Sequence, residues 1–242
     1  MRLNSMLISS FFFASVALAG PSQFPRQSLV EKPAKASSET VTYTTDWAGA
    51  VYELDSGSLN SISGAVTVPH ISGPINSKFS VSVNIDGTSC SSILGVAVEA
   101  TVTASGPTYQ ALCYFNGSSD LNITISAGDL IRLTVRALDK TSGVMVVENL
   151  SNDQMGYRRL QSSDPLCERS AAWVVERLPS VDNTTLPFVN FSAVTFTEAV
   201  TLDNNSQSYG PQGANIDEIL NEDGTIATSV TLGEFSVTIE RV

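Results

Sequence analysis

The stretch "SSILGVAVEATVTA" (residues 91–104) contains the pattern on which the fold depends. Apolar side chains alternate with other residues along it, which is typical of a β-strand whose two faces meet different surroundings. One face is an ordinary core face, formed by Leu94, Val96 and Val98. The other face carries the bulky Ile93, then Gly95 with no side chain, then the small Ala97 and the charged Glu99. A glycine inside a strand costs roughly 0.5–1 kcal/mol relative to alanine, so Gly95 needs an explanation.

Similar patterns on both sides of this stretch predict an all-β fold, because Gly, Pro, Asn, Asp and Ser separate the strand-like segments. These segments are "SISGAVTVP" (61–69), "KFSVSVNID" (78–86), "YQALCYF" (109–115), "LNITIS" (121–126), "DLIRLTVRAL" (129–138), "GVMVVENLS" (143–151), "AAWVVERL" (171–178), "FSAVTFTEAVTL" (191–202) and "GEFSVTIERV" (233–242). Only "ANIDEIL" (214–220) suggests a short helical turn. Ten or more short strands with no internal linker predict one sandwich of two antiparallel sheets over residues 41–242.

The N-terminal residues predict secretion. Residues 1–19 combine Arg2, a short apolar run and the small-residue site "ALA", which is the pattern of a secretory signal peptide; the run is too short for a membrane span. Residues 20–40 read as a leader or short propeptide. In an oxidising compartment two of the three cysteines are expected to pair, and the N-x-S/T sequons are expected at the surface. The sequons begin at Asn116, Asn122, Asn149, Asn183, Asn190 and Asn204.

Charge and composition exclude several classes of function. From residue 41 onward, nine Lys and Arg oppose twenty-two Asp and Glu, a net charge of −13. This balance argues against nucleic acid and anionic membranes as partners, and it suits a protein that works in acid or simply one that is highly soluble. The single histidine, His70, rules out an HExxH zinc site, and no metal or other cofactor is expected. "LDSGS" (54–58) resembles an aspartic peptidase loop but has no second copy, so we interpret it as a turn.

Six segments, in order along the chain, resemble the glutamic peptidases of fungi, an acid-acting family with a catalytic Glu and Gln. They are "DWAGAVYE" (46–53), similar to W-G-G-A-V; "NIDGTSC" (84–90), similar to I-D-G-x-x-C; "YQALCYF" (109–115), similar to Y-x-A-W-Y-E-W; "SGVMVVENLS" (142–151), similar to S-G-x-x-x-x-E-N-L; "LCERSAAWVVERL" (166–178), similar to L-C-x-x-x-A-E-W-I-V-E-D; and "LPFVNFSAVTF" (186–196), which resembles the strand that follows. The resemblance extends from about residue 41 to the C-terminus.

The resemblance implies two bent, face-to-face sheets of the concanavalin A-like type, with a groove that takes a polypeptide substrate or a small ligand across one concave face. It also implies a disulfide between Cys90 and Cys167, which leaves Cys113 as a small core residue. The expected protein is a secreted acid endopeptidase that acts as a monomer.

The resemblance assigns the family's catalytic Glu to Glu176, which shares a strand face with Ala172 and Val174. In the family mechanism this residue is the general base that activates water and later returns the proton to the leaving amine. The Gln amide donates a hydrogen bond to the oxyanion. Its position is occupied here by Gly95, and a one-residue slip would turn the strand over and offers no easy rescue.

Other groove positions implied by the resemblance are Trp47, Asp86 and Glu99, together with Leu112 and Tyr114, which stand where the family has Trp and Glu. Three interpretations follow. The missing Gln abolishes cleavage and leaves a binding protein; a neighbouring amide such as Gln110 replaces it; or the groove performs another reaction with Glu176, Glu99 and Tyr114 as acid–base groups.

Overall fold

The computed structural model describes residues 40–179 and 186–242. The predictions for the signal peptide (1–19), for nearly all of the leader (20–40) and for the sequon at Asn183 therefore lie outside the described residues. Within the described part of the chain there is no helix, and so none that is long and apolar enough to cross a membrane.

The described residues form sixteen strands. They are β1 (Val41–Thr44), β2 (Trp47–Glu53), β3 (Leu59–Thr67), β4 (Lys78–Asp86), β5 (Ile93–Thr103), β6 (Gly106–Phe115), β7 (Ser118–Asp120), β8 (Leu130–Asp139), β9 (Ser142–Asn149), β10 (Gln154–Gln161), β11 (Ser170–Leu178), β12 (Ala193–Asp203), β13 (Ser208–Tyr209), β14 (Asn215–Ile219), β15 (Thr228–Leu232) and β16 (Val237–Arg241).

These strands form two sheets, as expected. Sheet A has the order β1-β14-β2-β11-β4-β5-β6-β7, and sheet B has the order β10-β9-β8-β3-β12-β16-β15, with β13 paired to β12. The pair β1–β14 is parallel, and the other neighbouring pairs among the described strands are antiparallel. The sandwich predicted from strand alternation is confirmed.

The core lies between the two sheets. Trp173 of β11 is fully buried there and donates its indole N–H to the carbonyl of Ser63 on β3, at 2.8 Å, which ties sheet A to sheet B. Cys90 and Cys167 form the expected disulfide, which holds the start of β11 to the loop after β4. Cys113 is buried and unpaired, as expected of a small core residue.

Several local predictions were wrong. "ANIDEIL" contains strand β14 instead of a helical turn, because its backbone pairs with β2 and β1. "LNITIS" is a loop: the N–H of Asn122 bonds to the side chain of Asp120, and that of Thr124 to the side chain of Gln154, so side chains replace ladder partners. Five strands lay outside the predicted segments: β1, β7, β10, β13 and β15. "LDSGS" is a turn between β2 and β3, and His70 lies exposed in a loop, as interpreted.

Candidate active site

The candidate site lies on the face of sheet A that points away from sheet B, which we call the groove face. On β4 the core face carries Phe79, Val81, Val83 and Ile85, and the groove face carries Ser80, Ser82, Asn84 and Asp86. The four polar residues are as buried as the apolar ones, with 4% exposure or less. Polar residues that are buried although they point away from the core are expected on the floor of a groove.

Strand register arranges the groove face in rows of directly opposed residues. The first row is Trp47, Glu176, Ser80, Glu99 and Gln110, across β2, β11, β4, β5 and β6. The second is Gly49, Val174, Ser82, Ala97 and Leu112. The third is Val51, Ala172, Asn84, Gly95 and Tyr114. Seven of the eight predicted site residues therefore lie in these three rows, and Asp86 lies in the row beyond.

Glu176 occupies the floor of the groove and is only partly exposed. The hydroxyl of Ser82 donates a hydrogen bond to its Oε1 at 2.9 Å. Burial raises the pKa of Glu176, the Ser82 hydrogen bond opposes that rise, and the negative charge of Glu99 adds to it. The carboxyl therefore holds its proton to a higher pH than an exposed glutamate does.

A chain of hydrogen bonds leads from Tyr114 to Glu176. The Tyr114 hydroxyl donates to Oδ1 of Asn84, Nδ2 of Asn84 donates to Oγ of Ser82 at 3.1 Å, and Ser82 donates to Glu176. Burial first, and then the charge of Glu176, raise the pKa of Tyr114 well above its ordinary value. Tyr114 thus stays neutral and remains a donor across the pH range in which carboxyl groups titrate.

The space above Gly95 is occupied. A Cβ at this position would lie 2.3 Å from Cε2 of Tyr114 and 2.3 Å from Oδ1 of Asn84. The ring of Tyr114 starts on β6, passes over Gly95 on β5 and reaches Asn84 on β4. No side chain fits at residue 95 while Tyr114 keeps this conformation.

Glu99 and Gln110 lie next to each other in the first row. Nε2 of Gln110 donates to Oε2 of Glu99 at 3.4 Å, and the Gln110 side chain is exposed. Two strands separate Gln110 from Glu176, so their Cα atoms are about 14 Å apart at the usual strand spacing of about 4.8 Å. In this structure the Gln110 amide supports Glu99, and its replacement of the missing Gln stays a prediction.

Asp86 lines the groove, but its carboxylate is already occupied. Oδ2 accepts hydrogen bonds from the N–H groups of Cys167 and Glu168, and Oδ1 accepts from those of Arg169 and Ser170, at 2.8–3.2 Å. These bonds fix the chain that enters β11 and carries Glu176 into the sheet. Asp86 also lies near both sulfurs of the disulfide, which cannot ligate a metal as thiolates while they are bonded to each other.

A cavity of about 460 Å³ opens above the β11 side of the groove face. Trp47, Ala172 and Val174 form its apolar floor, with Glu176 and Asn84 as polar groups. Its remaining lining residues are Asp46, Asp86, Gly87, Thr88, Ile93, Arg177, Leu178, Pro179 and Leu186. Of the predicted groove residues, Trp47, Asp86 and Glu176 line this cavity, and Leu112 faces the β6 end of the groove face.

Glu176 and Gly95 share the groove face but not a row. They lie two rows and two strands apart, which corresponds to about 13 Å along the strands and about 10 Å across them. The residue in the same row as Gly95, across Asn84, is Ala172. The segment A-E-W-I-V-E, on which the resemblance rests, carries a glutamate at the position of Ala172 as well as at that of Glu176.

Three site residues were missed from the sequence. Ser82 and Asn84 lie within "KFSVSVNID", whose strict apolar–polar alternation is a signal of a two-faced strand with a polar floor. Asp217 lies on β14 opposite Gly49 and is 7% exposed. Burial raises the pKa of Asp217 to about 6. No sequence signal pointed to it, because its segment was taken for a turn.

Comparison with known proteins gives consistent results. The peptidase A4 family model matches residues 45–241. Aspergillopepsin-2 of Aspergillus niger is 31% identical over 226 residues, which is 83% of this chain and 78% of that protein. Scytalidopepsin B of Scytalidium lignicola is 31% identical over 187 residues, 72% of this chain and 70% of that protein.

Solved structures agree with the sequence relatives. Scytalido-glutamic peptidase with a peptide-based transition state analog superposes with a TM-score of 0.73 at 28% identity, covering 82% of this chain and 98% of that one. Aspergilloglutamic peptidase from Aspergillus niger superposes with a TM-score of 0.63 at 33% identity, covering 68% of this chain and 99% of that one.

Proposed function

Because the chain belongs to the peptidase A4 family, we propose that it is a secreted, acid-acting endopeptidase that binds a polypeptide along the groove face and uses Glu176 as its general base. One observation carries the proposal: a partly buried carboxyl, hydrogen-bonded by Ser82, on the floor of a cavity large enough for substrate side chains.

The proposed reaction is hydrolysis of a peptide bond. Ionised Glu176 removes a proton from water, and the water oxygen attacks the carbonyl carbon to form a tetrahedral intermediate. Glu176 then gives this proton to the amide nitrogen, and the C–N bond breaks to release an amine and a carboxylic acid. Because the base must be ionised, kcat/KM should rise with pH through the raised pKa of Glu176, above the ordinary value of 4.5.

The developing oxyanion needs a donor, and residue 95 has no amide to offer. Glu99 lies in the same row as Glu176 with only Ser80 between them, so both carboxyls face the same stretch of the groove. The negative charge of Glu99 adds to the rise in the pKa of Glu176 that burial causes. A carboxyl donates a hydrogen bond only while it carries its proton, and we propose that Glu99 serves the oxyanion in that form.

The test is cleavage of acid-denatured serum albumin by the secreted protein at pH 2–5, with pepstatin present to suppress aspartic peptidases. Glu176→Gln should abolish cleavage, and Glu240→Gln, an exposed glutamate on sheet B, should not. Glu99→Gln keeps a donor and should retain activity, whereas Glu99→Ala should lose about a hundredfold to a thousandfold. Full activity in Glu176→Gln would refute the assignment.

A second function, binding without cleavage, has one observation in its favour. Ala172 and Gly95 share a row, and neither carries an acid or an amide, although the family segments have Glu and Gln at these positions. If the wild-type protein leaves albumin intact but binds its peptides in calorimetry, and Trp47→Ala weakens that binding, the groove is a binding site alone.

A further inference from the structure

We infer that Tyr114 is a positioning residue for Glu176, acting through Asn84 and Ser82, and that residue 95 is glycine because the Tyr114 ring occupies the space above it. This inference rests on the proposed function of Glu176. Strand β5 lacks a side chain at residue 95 because the Tyr114 side chain, from the neighbouring strand β6, takes that space.

The first step is steric. Tyr114 and Asn84 are separated by the whole width of β5, so their side chains can meet only by passing over the residue between them. That residue is Gly95, and even one methyl group there would approach Tyr114 and Asn84 to 2.3 Å. Real Cβ contacts are far longer, so Gly95 and Tyr114 form a matched pair in which the larger residue requires the smaller one.

The second step is the direction of the hydrogen bonds. Each member donates toward β11, from the Tyr114 hydroxyl to the Asn84 carbonyl, from the Asn84 amide to Ser82, and from the Ser82 hydroxyl to Glu176. The Tyr114 hydroxyl fixes which way the Asn84 amide faces. The Asn84 N–H occupies an acceptor site of Ser82, which directs the Ser82 proton at the Glu176 carboxylate.

The third step is burial. Ser82 and Asn84 are 0% and 4% exposed, so water does not readily replace a lost partner in the middle of the chain. Removing the Tyr114 hydroxyl leaves Oδ1 of Asn84 without its donor and frees the amide to turn. The ionised form of Glu176 then loses its directed hydrogen bond, and the pKa of Glu176 should rise.

The experiment measures the pKa of Glu176 directly, by carbon-13 NMR of the side-chain carboxyl in the full secreted protein. Tyr114→Phe should raise this pKa by about 0.5 unit or more. Ser82→Ala removes the last link and should raise it at least as much. Tyr109→Phe is the matched control, because Tyr109 lies on the same strand and loses an equivalent hydrogen bond, to the carbonyl of Pro69, away from Glu176.

If the protein cleaves albumin, the acid limb of kcat/KM should move to higher pH in Tyr114→Phe by the same amount as the NMR titration, and stay in place in Tyr109→Phe. If it does not cleave, the proposed function fails, but the titration still tests the positioning role. The inference is overturned if Ser82→Ala shifts the pKa of Glu176 and folded Tyr114→Phe does not, or if Tyr109→Phe shifts it equally.

Discussion

Replacing Asp217 by Asn should stabilise the protein at neutral pH and leave it nearly unchanged in acid. Asp217 lies on β14 beside Gly49, is 7% exposed, and within the described part of the chain no hydrogen bond or salt bridge to its carboxyl is found. Burial alone raises its pKa from 3.8 to about 6. The native state therefore binds this proton more tightly than the unfolded chain does.

The sign and size of the effect follow from linkage. Below pH 3.8 both states are protonated and the residue is neutral in each; as pH rises toward 6 the unfolded chain ionises first, and native stability falls. Above pH 6 the penalty is constant. A shift of about two units corresponds to about 3 kcal/mol, taken as an upper bound because the carboxyl keeps a little contact with solvent.

The assay is guanidinium unfolding followed by tryptophan fluorescence at pH 3, 5 and 7. The stability of Asp217→Asn relative to wild type should increase with pH, by up to about 3 kcal/mol between pH 3 and 7. Asp223→Asn is the control of opposite sign, because hydrogen bonds from Thr225 lower the pKa of Asp223 and its ionised form stabilises the fold. A difference between Asp217→Asn and wild type that does not change with pH would refute the reasoning.

Two further predictions concern the matched pair and a buried sequon. Gly95→Ala should cost about 1–3 kcal/mol in denaturant unfolding when Tyr114 is present, and clearly less in a Tyr114→Ala background, where only the Asn84 side chain still has to move; equal costs in both would contradict the steric argument. Asn149 should carry no glycan in the folded protein, because it is 1% exposed and its Nδ2 donates to the carbonyl of Thr124 and to Asp129. Glycopeptide mass spectrometry tests this, with exposed Asn122 and Asn190 as internal comparisons, and a glycan at Asn149 would show the prediction to be wrong.

Predictions that depended on neighbouring residues in the chain succeeded. Alternation along "SSILGVAVEATVTA" predicted both faces of β5 correctly, with Leu94, Val96 and Val98 in the core. The prediction that Ala172, Val174 and Glu176 share one face of β11 was also correct, because alternate side chains along a strand point to the same side. Prediction failed in the loop at 121–126, where side chains bond to the backbone, because one of these partners, Gln154, lies 30 residues away from Thr124 in the chain.

The amino-acid sequence alone determined the two-sheet class, the disulfide partners through family resemblance, and the face on which Glu176 lies. The tertiary structure decided that Tyr114 fills the space above Gly95, that Asn84 and Ser82 link it to Glu176, and that Ala172 is the residue aligned with Gly95. The physical reason is register. Which residue lies opposite which depends on how strands far apart in the chain pair, and a local pattern that repeats every two residues carries no information on that alignment.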